Sequence, residues 1–253
     1  MIAKRIIPLF LLKGKRLVKG ANFTNFVDVG DPLSQALIYD AQGAEEIIIV
    51  DIEASLRNRI IDTAIINNII TRCRLPIGVG GGIQNLEDAR KCFNAGADKI
   101  AVNTHAMLDP SLIKDLAAEF GSQSVLVSLD VKKNEHGDYD VYIYSGKERI
   151  DIPLKKTLDS IIKKGAGEII LTSIDKEGTL MGFDYDLYKR VRGIIPIPLI
   201  ASGGAGSYED MVKVFRETNV DALAVGKMLF LRDYDIIRFK AYLRNQNVRI
   251  RDS

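Results

Sequence analysis

The chain has 253 residues, 47% of them hydrophobic, so it is long enough to bury the core of one large α/β domain. Its 35 basic and 33 acidic residues are mixed along the chain, and no basic tract indicates nucleic-acid binding. The two cysteines have no metal-binding spacing, and no apolar run reaches the roughly 18 residues of a membrane span. We therefore expect a soluble cytoplasmic protein without nucleic-acid, membrane, metal or cofactor binding.

Short β-rich runs alternate with longer helical patterns along the chain. The predicted strands are 5–12, 47–51, 77–80, 99–102, 125–130, 169–173, 199–202 and 222–225. The predicted helices are 32–42, 60–71, 86–95, 110–120, 154–165, 184–192, 208–218 and 236–246. Most of the strands are continuous apolar runs, which is typical of a parallel sheet covered by helices. Segment 132–149 predicts an inserted β-hairpin that acts as a lid or partner surface, or is a plain surface hairpin.

Two stretches of the sequence are copies of each other. Residues 75–83 and 197–206 each run from near a proline through a short apolar strand into a glycine turn and then a helix. They lie 122 positions apart (197 − 75), and other matched segments keep nearly the same offset. This repeat favours a (β/α)₈ barrel built from halves of about 1–120 and 121–253 over an open doubly wound sheet.

The carboxyl ends of barrel strands are where such folds place their ligands. Backbone amides of a glycine turn at a strand end can hold an anion. We expect two quasi-symmetric phosphate-sized sites at the ends of strands three and four and of strands seven and eight. The residues of these sites are Gly81, Gly82, Asn103 and Thr104 in the first, and Ser202, Gly203, Gly204, Gly226 and Lys227 in the second. The alternative is that the glycines only permit tight turns.

Other polar residues follow strands on the same face. Asp130 closes an apolar strand and is a candidate acid–base group, or else caps a loop or meets a lysine. Lys19 is expected on the loop after the first barrel strand and could hold an anionic ligand, and Gly178 is a further candidate ligand contact. Asp51 and Asp175 either orient loops or assist at the site.

At this point the sequence resembles a known family over essentially its whole length. The residues that carry the resemblance are in segments 3–7, 18–20, 50–52, 79–83, 103–104, 120–123, 144–146, 165–169, 171–175 and 201–206. The family is the cyclase subunit of imidazole glycerol phosphate synthase, a (β/α)₈ barrel of histidine biosynthesis. The resemblance implies a glutaminase partner at the barrel bottom, in a one-to-one complex. It also implies that ammonia from this partner cyclises and cleaves a bis-phosphorylated ribulosyl formimino nucleotide.

The resemblance also assigns roles to residues. The family's charged ring, which gates ammonia entry, matches Arg5, Glu46, Lys99 and Glu168, although such a ring could be a salt-bridged plug. Asp98 matches a residue that faces the glutaminase. Of the family's two catalytic aspartates, Asp130 matches the second, whereas Leu11 stands where the first is expected.

Several functions remain open at this stage. The favoured hypothesis, based on Leu11 beside an intact ring, is a paralogue like those found with surface-polysaccharide genes. Such a paralogue would pass ammonia on so that a sugar amidotransferase converts an acetamido sugar to an acetamidino sugar. The alternative is an ordinary cyclase in which Asp130 works with Lys19 or Asp51. A non-catalytic scaffold for the glutaminase is a third possibility, and the related isomerase of the same pathway is disfavoured by the ring.

Overall fold

The computed structural model of the protein describes residues 3–231 and 235–251, and these form twelve strands and ten α-helices. The strands are β1 (Arg5–Lys13), β2 (Arg16–Ala21), β3 (Thr24–Gly30), β4 (Ile47–Asp51), β5 (Ile77–Gly80), β6 (Lys99–Val102), β7 (Val125–Lys133), β8 (Tyr139–Ile143), β9 (Glu148–Ile150), β10 (Glu168–Ser173), β11 (Leu199–Ser202) and β12 (Ala222–Val225). The helices are α1 (Pro32–Ala41), α2 (Thr63–Ile70), α3 (Leu86–Asn94), α4 (Thr104–Leu108), α5 (Ser111–Phe120), α6 (Leu154–Lys163), α7 (Tyr185–Arg192), α8 (Tyr208–Thr218), α9 (Lys227–Leu231) and α10 (Ile236–Asn245).

Eight of the strands close into a parallel barrel. Their order around it is β1-β4-β5-β6-β7-β10-β11-β12, and β12 pairs with β1 to complete the circle. Each barrel strand pairs only in parallel with its barrel neighbours, and helices lie between successive strands. The predicted (β/α)₈ barrel is confirmed, and all eight predicted strands are present.

The order of the strands places the candidate site residues around one mouth. In this circle of eight, β5 stands opposite β11 and β1 stands opposite β7. The two glycine turns therefore face each other across the mouth. Leu11 on β1 and Asp130 on β7 also face each other across the mouth, on the two strands midway between the glycine turns.

The repeat seen in the sequence is also a repeat of strand register. Ile47 pairs with Ile77 in one half, and Ile169 pairs with Leu199 in the other, so both partners shift by the same 122 positions (169 − 47). The helix that follows each glycine turn is capped in the same way. Asn85 and Ser207 accept the backbone N–H of the third residue beyond them, which is a standard N-cap.

Two hairpins project from the mouth. The end of β7 pairs antiparallel with β8, as the hairpin predicted within 132–149 requires, and β8 also pairs with β9, which ends one residue beyond that segment. The pair β2–β3, which follows β1, was not predicted, because its outer strand is largely exposed and lacks an apolar alternation. Lys19 therefore lies on a strand rather than on a simple loop.

Helix boundaries differ slightly from those predicted. Helix α2 begins at Thr63 rather than at residue 60, because Asp62 caps it by accepting the Ala64 N–H. The five-residue helices α4 and α9 were not predicted, since they are too short to show a helical period.

The core has two parts, as expected for a filled barrel. The larger packs between the barrel and its helices, whereas the smaller fills the barrel interior. The interior cluster is composed of Ile7, Leu9, Leu11, Val18, Ile48, Ala101, Leu126, Ile170, Ile200, Ala222 and Ala224. None of the described helices combines the length and the apolar composition that a membrane crossing requires.

Candidate functional site

A cavity of about 110 Å³ opens at the mouth, above the apolar interior. Strand ends from β1, β4, β6, β7 and β10 contribute to its wall, as do Phe23 and Phe26 of the β2–β3 hairpin. The predicted site residues that line it are Asp51, Gly81, Gly82, Asn103, Thr104 and Asp130. The first predicted anion site and the candidate acid–base residue therefore share one cavity.

The two glycine turns have matching backbone geometry. Gly81 and Gly82 have φ angles of +121° and +70°, and Gly203 and Gly204 have +95° and +105°, values that side-chain-bearing residues rarely adopt. A Cβ on Gly82 would lie 1.8 Å from the Arg59 carbonyl oxygen, and one on Gly204 would lie 2.1 Å from that of Gly182. Both turns thus require glycine.

Each half of the mouth also contains a buried polar atom without a hydrogen-bond partner in the described part of the chain. These atoms are Oδ1 of Asn103 in the first half and Oγ of Ser202 in the second. Leaving such an atom unpaired costs about 1–3 kcal/mol. Two such atoms beside the two glycine turns are suited to pairing with a ligand.

Asp130 is held in the cavity wall in a form suited to proton transfer. The residue is 8% exposed, and Asn103 donates from Nδ2 to its Oδ2 at 2.8 Å. Burial raises the pKa of the Asp130 carboxyl to about 7, and the nearby Glu177 charge acts in the same direction, whereas hydrogen bonds from Asn103 and Thr172 oppose the shift. A carboxyl with a pKa near neutrality can both donate and accept protons.

Leu11 lies across the mouth from Asp130. It lines the same cavity, is 9% exposed and packs with the apolar side chains of the barrel interior, including Leu9 and Ile48. Leu12, the residue after it, is fully buried in the outer core. The β1 side of the mouth therefore offers an apolar surface where the resemblance leads one to expect a carboxylate.

Lys19 reaches the second half of the mouth from β2. It is 2% exposed, its ammonium donates to the Leu9 carbonyl oxygen, and the Phe230 ring centroid lies 5.0 Å from its Nζ. A Cβ on Gly226 would come within 2.6 Å of Nζ, so this glycine leaves room for the lysine. Burial lowers the pKa of Lys19 to about 8, although the Glu177 carboxylate opposes the shift.

Glu177, which the sequence analysis did not single out, lies in the loop after β10 and lines the cavity. It is 9% exposed. Burial raises the pKa of its carboxyl, although the positive charges of Lys19 and Lys227 act in the opposite direction. The sequence contained one indication of this position, because Glu177 follows the end of a predicted strand by four residues. The sequence alone does not determine whether the loop directs the side chain toward the mouth or away from it.

Lys227 and Gly178 are in contact with each other. The Lys227 ammonium donates to the Gly178 carbonyl oxygen at 2.8 Å. Gly178 has a φ of +68°, and a Cβ there would lie 2.0 Å from the Gly20 carbonyl oxygen. A glycine at position 178 thus lets the loop after β10 approach Gly20 closely. In this structure the carbonyl oxygen of Gly178 is occupied by the Lys227 ammonium.

The two other predicted aspartates make fixed contacts. Asp51 accepts from Arg59 at 2.6 Å and from the Glu53 backbone N–H at 2.9 Å. Asp175 accepts the Lys133 backbone N–H at 2.8 Å and does not line the mouth cavity. Of the two roles considered for this pair, orienting loops agrees better with these contacts.

The β8–β9 turn lies over the first half of the mouth. The Tyr144 backbone N–H donates to Oγ1 of Thr104 at 3.1 Å, and Ser145 Oγ donates to the Ile52 carbonyl oxygen at 2.8 Å. Ser145 also lines the cavity. The hairpin thus covers part of the site, as the lid alternative in the sequence analysis expects.

At the opposite end of the barrel, four charged side chains close a ring. Arg5 pairs with Glu46 at 3.0 Å and with Glu168, and Lys99 pairs with Glu46 at 2.9 Å and with Glu168 at 2.8 Å. Burial acts to raise the pKa of Glu168, but the charges of Arg5 and Lys99 outweigh it and hold this pKa below its ordinary value. The four residues predicted as one ring are therefore in contact.

Asp98 is exposed beside this ring at the start of β6. Its Oδ2 accepts the Ile77 backbone N–H at 2.8 Å, so the side chain is held at the barrel bottom. In the other half, Asp221 accepts the Leu199 N–H at 2.9 Å. Within the described residues, no group of three His, Cys, Asp or Glu side chains is arranged to hold a metal ion.

The sequence of this chain is similar to those of known proteins over almost its whole length. A family model described as "Histidine biosynthesis protein" matches residues 5–235. Imidazole glycerol phosphate synthase subunit HisF of Dictyoglomus turgidum is 42% identical over 251 residues, which cover 99% of each chain. The HisF subunit of Bacillus subtilis is 39% identical over 252 residues, covering 99% of this chain and 100% of its own. The chain therefore belongs to the histidine biosynthesis protein family and, within it, to the HisF group.

Proposed function

We propose that this chain is the cyclase subunit of an imidazole glycerol phosphate synthase. In this role it receives ammonia from a glutaminase subunit and uses it to cyclise and cleave a bis-phosphorylated ribulosyl formimino nucleotide. The observation that carries the proposal is the pair of matched glycine turns, which face each other across one mouth with the buried Asp130 carboxyl between them on the circle of strands. Full-length similarity to chains named as HisF subunits supports it.

The bottom of the barrel suits an entrance for ammonia. The ring of Arg5, Glu46, Lys99 and Glu168 surrounds the lower end of the barrel interior. Apolar side chains fill the space between this ring and the mouth, so a neutral molecule such as ammonia meets a smaller barrier there than ammonium does. The exposed Asp98 lies beside the ring and is our candidate contact for the glutaminase.

The mouth suits a ligand that has a phosphate at each end. In this proposal the turn at Gly81 and Gly82 holds one phosphate with Thr104, and the turn at Gly203 and Gly204 holds the other with Ser202 and Lys227. Backbone amides and a buried hydroxyl are suited to anionic oxygens. Asp130, between them, transfers protons to and from the reacting atoms.

Leu11 favours a second candidate function. Because an apolar side chain cannot transfer a proton, this chain could retain the glutaminase and the ammonia conduit but pass ammonia to another enzyme. The acceptor would then be an acetamido sugar that a sugar amidotransferase converts to an acetamidino sugar. The comparisons lend this hypothesis no support, and it depends on Leu11 alone.

Complementation separates the two functions. The gene, expressed with its cognate glutaminase, is expected to restore growth of a cyclase-deficient strain without histidine, and Asp130→Asn is expected to abolish this growth. Exposed Asp186 provides the matched control, because Asp186→Asn removes a carboxylate outside the cavity. Failure of the wild-type gene to rescue, together with rescue by Leu11→Asp, would favour the second function. Co-purification of a one-to-one complex tests the glutaminase partner.

A further inference from the structure

We infer that Glu177 is a second acid–base residue of the mouth and that it works with Asp130, supplying the carboxyl that β1 lacks at Leu11. The inference rests on the proposed function, because it assigns a residue to that reaction. Four groups in or near the mouth could assist Asp130: Asp51, Lys19, Asp175 and Glu177. Their contacts distinguish them.

Three of these groups are already engaged. Both oxygens of Asp51 accept hydrogen bonds, from Arg59 and from the Glu53 N–H. Lys19 donates to a backbone carbonyl oxygen and lies over an aromatic ring. Asp175 accepts from the hairpin backbone and does not line the cavity. Of the three, Asp51 alone lines the mouth cavity, and both of its oxygens are already bonded, whereas Lys19 and Asp175 lie outside the cavity lining.

Glu177 differs because its side chain is largely buried, yet its carboxylate has no partner among the described residues. The residue is 9% exposed and lines the same cavity as Asp130. No hydrogen bond or ion pair to its carboxylate occurs within residues 3–231 and 235–251. A carboxylate in this position normally has a partner, since desolvating it without one costs several kcal/mol. The open cavity is where a ligand would provide that partner.

The backbone of Glu177 is fixed on both sides. Its N–H donates to the Ser173 carbonyl oxygen at 3.0 Å, and its carbonyl oxygen accepts the Asn22 N–H of the β2–β3 hairpin at 2.8 Å. A Cβ on Gly203 would approach the Glu177 nitrogen to 3.3 Å, so the second glycine turn packs directly against it. Glu177 is therefore held in place between the second anion site and the mouth cavity.

The charged and titratable groups that act on Glu177 come from four elements. Lys19 on β2 and Lys227 at the start of α9 are cationic and favour its ionised form. Asp130 on β7 and Tyr188 on α7 lie within its electrostatic reach. Two buried carboxyls that act on each other titrate as a coupled pair, and their two protons leave in separate steps.

With one proton between them, the two carboxyls fit the proton balance of ammonia addition. When ammonia nitrogen forms a bond to an electrophilic carbon, the nitrogen must lose a proton, and the ionised carboxylate accepts it. When the bond to the leaving group breaks, the leaving atom takes the electron pair and needs a proton, which the protonated carboxyl donates. The two transfers cancel, so the pair ends the cycle with the same number of protons as at the start.

The first test measures turnover of the formimino nucleotide by the complex of this chain with its glutaminase. Glu177→Gln is expected to lower kcat by about 100-fold or more with KM within threefold of wild type, and to change the pH profile of kcat. Glu177→Asp is expected to recover part of the loss, and the control Asp186→Asn to behave as wild type. A kcat of Glu177→Gln within threefold of wild type, or a loss confined to KM, would overturn the inference.

The second test does not depend on turnover. The carboxyl carbon of Asp130 is titrated by ¹³C NMR in the full chain, in wild type, in Glu177→Gln and in Asp186→Asn. Removing the Glu177 charge is expected to lower the Asp130 pKa, whereas the control leaves it unchanged. If wild type fails to turn over the nucleotide, the proposed function is wrong. This titration then shows by itself whether Asp130 and Glu177 interact. An Asp130 pKa that is equal in wild type and Glu177→Gln would refute the inferred interaction between the two carboxyls.

Discussion

Replacing Arg5 by methionine tests whether the charged ring is held together by its ion pairs. Arg5 contacts Glu46 at 3.0 Å and also contacts Glu168, and these three side chains are 12%, 7% and 11% exposed. At 3.0 Å and an effective dielectric constant of about 20, two unit charges attract by about 5 kcal/mol. Because Arg5→Met leaves two buried carboxylates to share the single ammonium of Lys99, we expect it to lower the free energy of unfolding by about 3–5 kcal/mol at pH 7.

The pH dependence of this loss follows from Glu168. Its pKa is held below the ordinary value, so its contribution to stability is present above about pH 4.5 and disappears as the pH falls through the lowered pKa. Removing Arg5 raises that pKa, so the variant protonates Glu168 earlier as the pH falls. The difference in unfolding free energy between wild type and variant is therefore expected to shrink toward pH 4.

Urea denaturation at pH 7 and pH 4 measures both effects, and a surface pair provides the control. Arg90 contacts Glu119 at 2.6 Å, but their side chains are 51% and 30% exposed. Exposed pairs contribute about 1 kcal/mol at most, so Arg90→Met is expected to cost far less than Arg5→Met. Equal losses for the two variants, or a loss for Arg5→Met that does not depend on pH, would refute the reasoning.

Two further predictions concern the mouth. Gly82→Ala is expected to lower the free energy of unfolding by about 3 kcal/mol or more and to weaken binding of inorganic phosphate, since its Cβ would clash at 1.8 Å. Gly137→Ala, which also has a positive φ but no atom within 4 Å, is expected to cost about 1–2 kcal/mol in the same urea assay. The raised pKa of Asp130 makes wild type lose stability as the pH rises from about 4 to 7. Asp130→Asn removes this loss and is expected to be more stable than wild type at pH 8, by on the order of a few kcal/mol. Equal stability of the two at pH 8 would contradict the assignment.

The sequence by itself determined the barrel, because the patterns that predict it are local and occur twice along the chain. Continuous apolar runs indicate strands buried on both faces, and the 122-residue offset between residues 75–83 and 197–206 indicates two equivalent halves. Glycines with a positive φ, such as Gly82 and Gly204, are visible in the sequence because few other residues tolerate that conformation. The resemblance then supplied the four residues of the ring.

Only the tertiary structure decided which polar groups of the mouth are free to act. Asp51 and Glu177 both lie close to the end of a strand, but Asp51 is paired with Arg59 whereas Glu177 is unpartnered among the described residues. The β2–β3 hairpin, which reaches across the mouth through Asn22 to Glu177, has no apolar period that could reveal it. Periodicity reports which face of an element is buried, whereas the pairing of charges depends on loops that meet only in the folded chain.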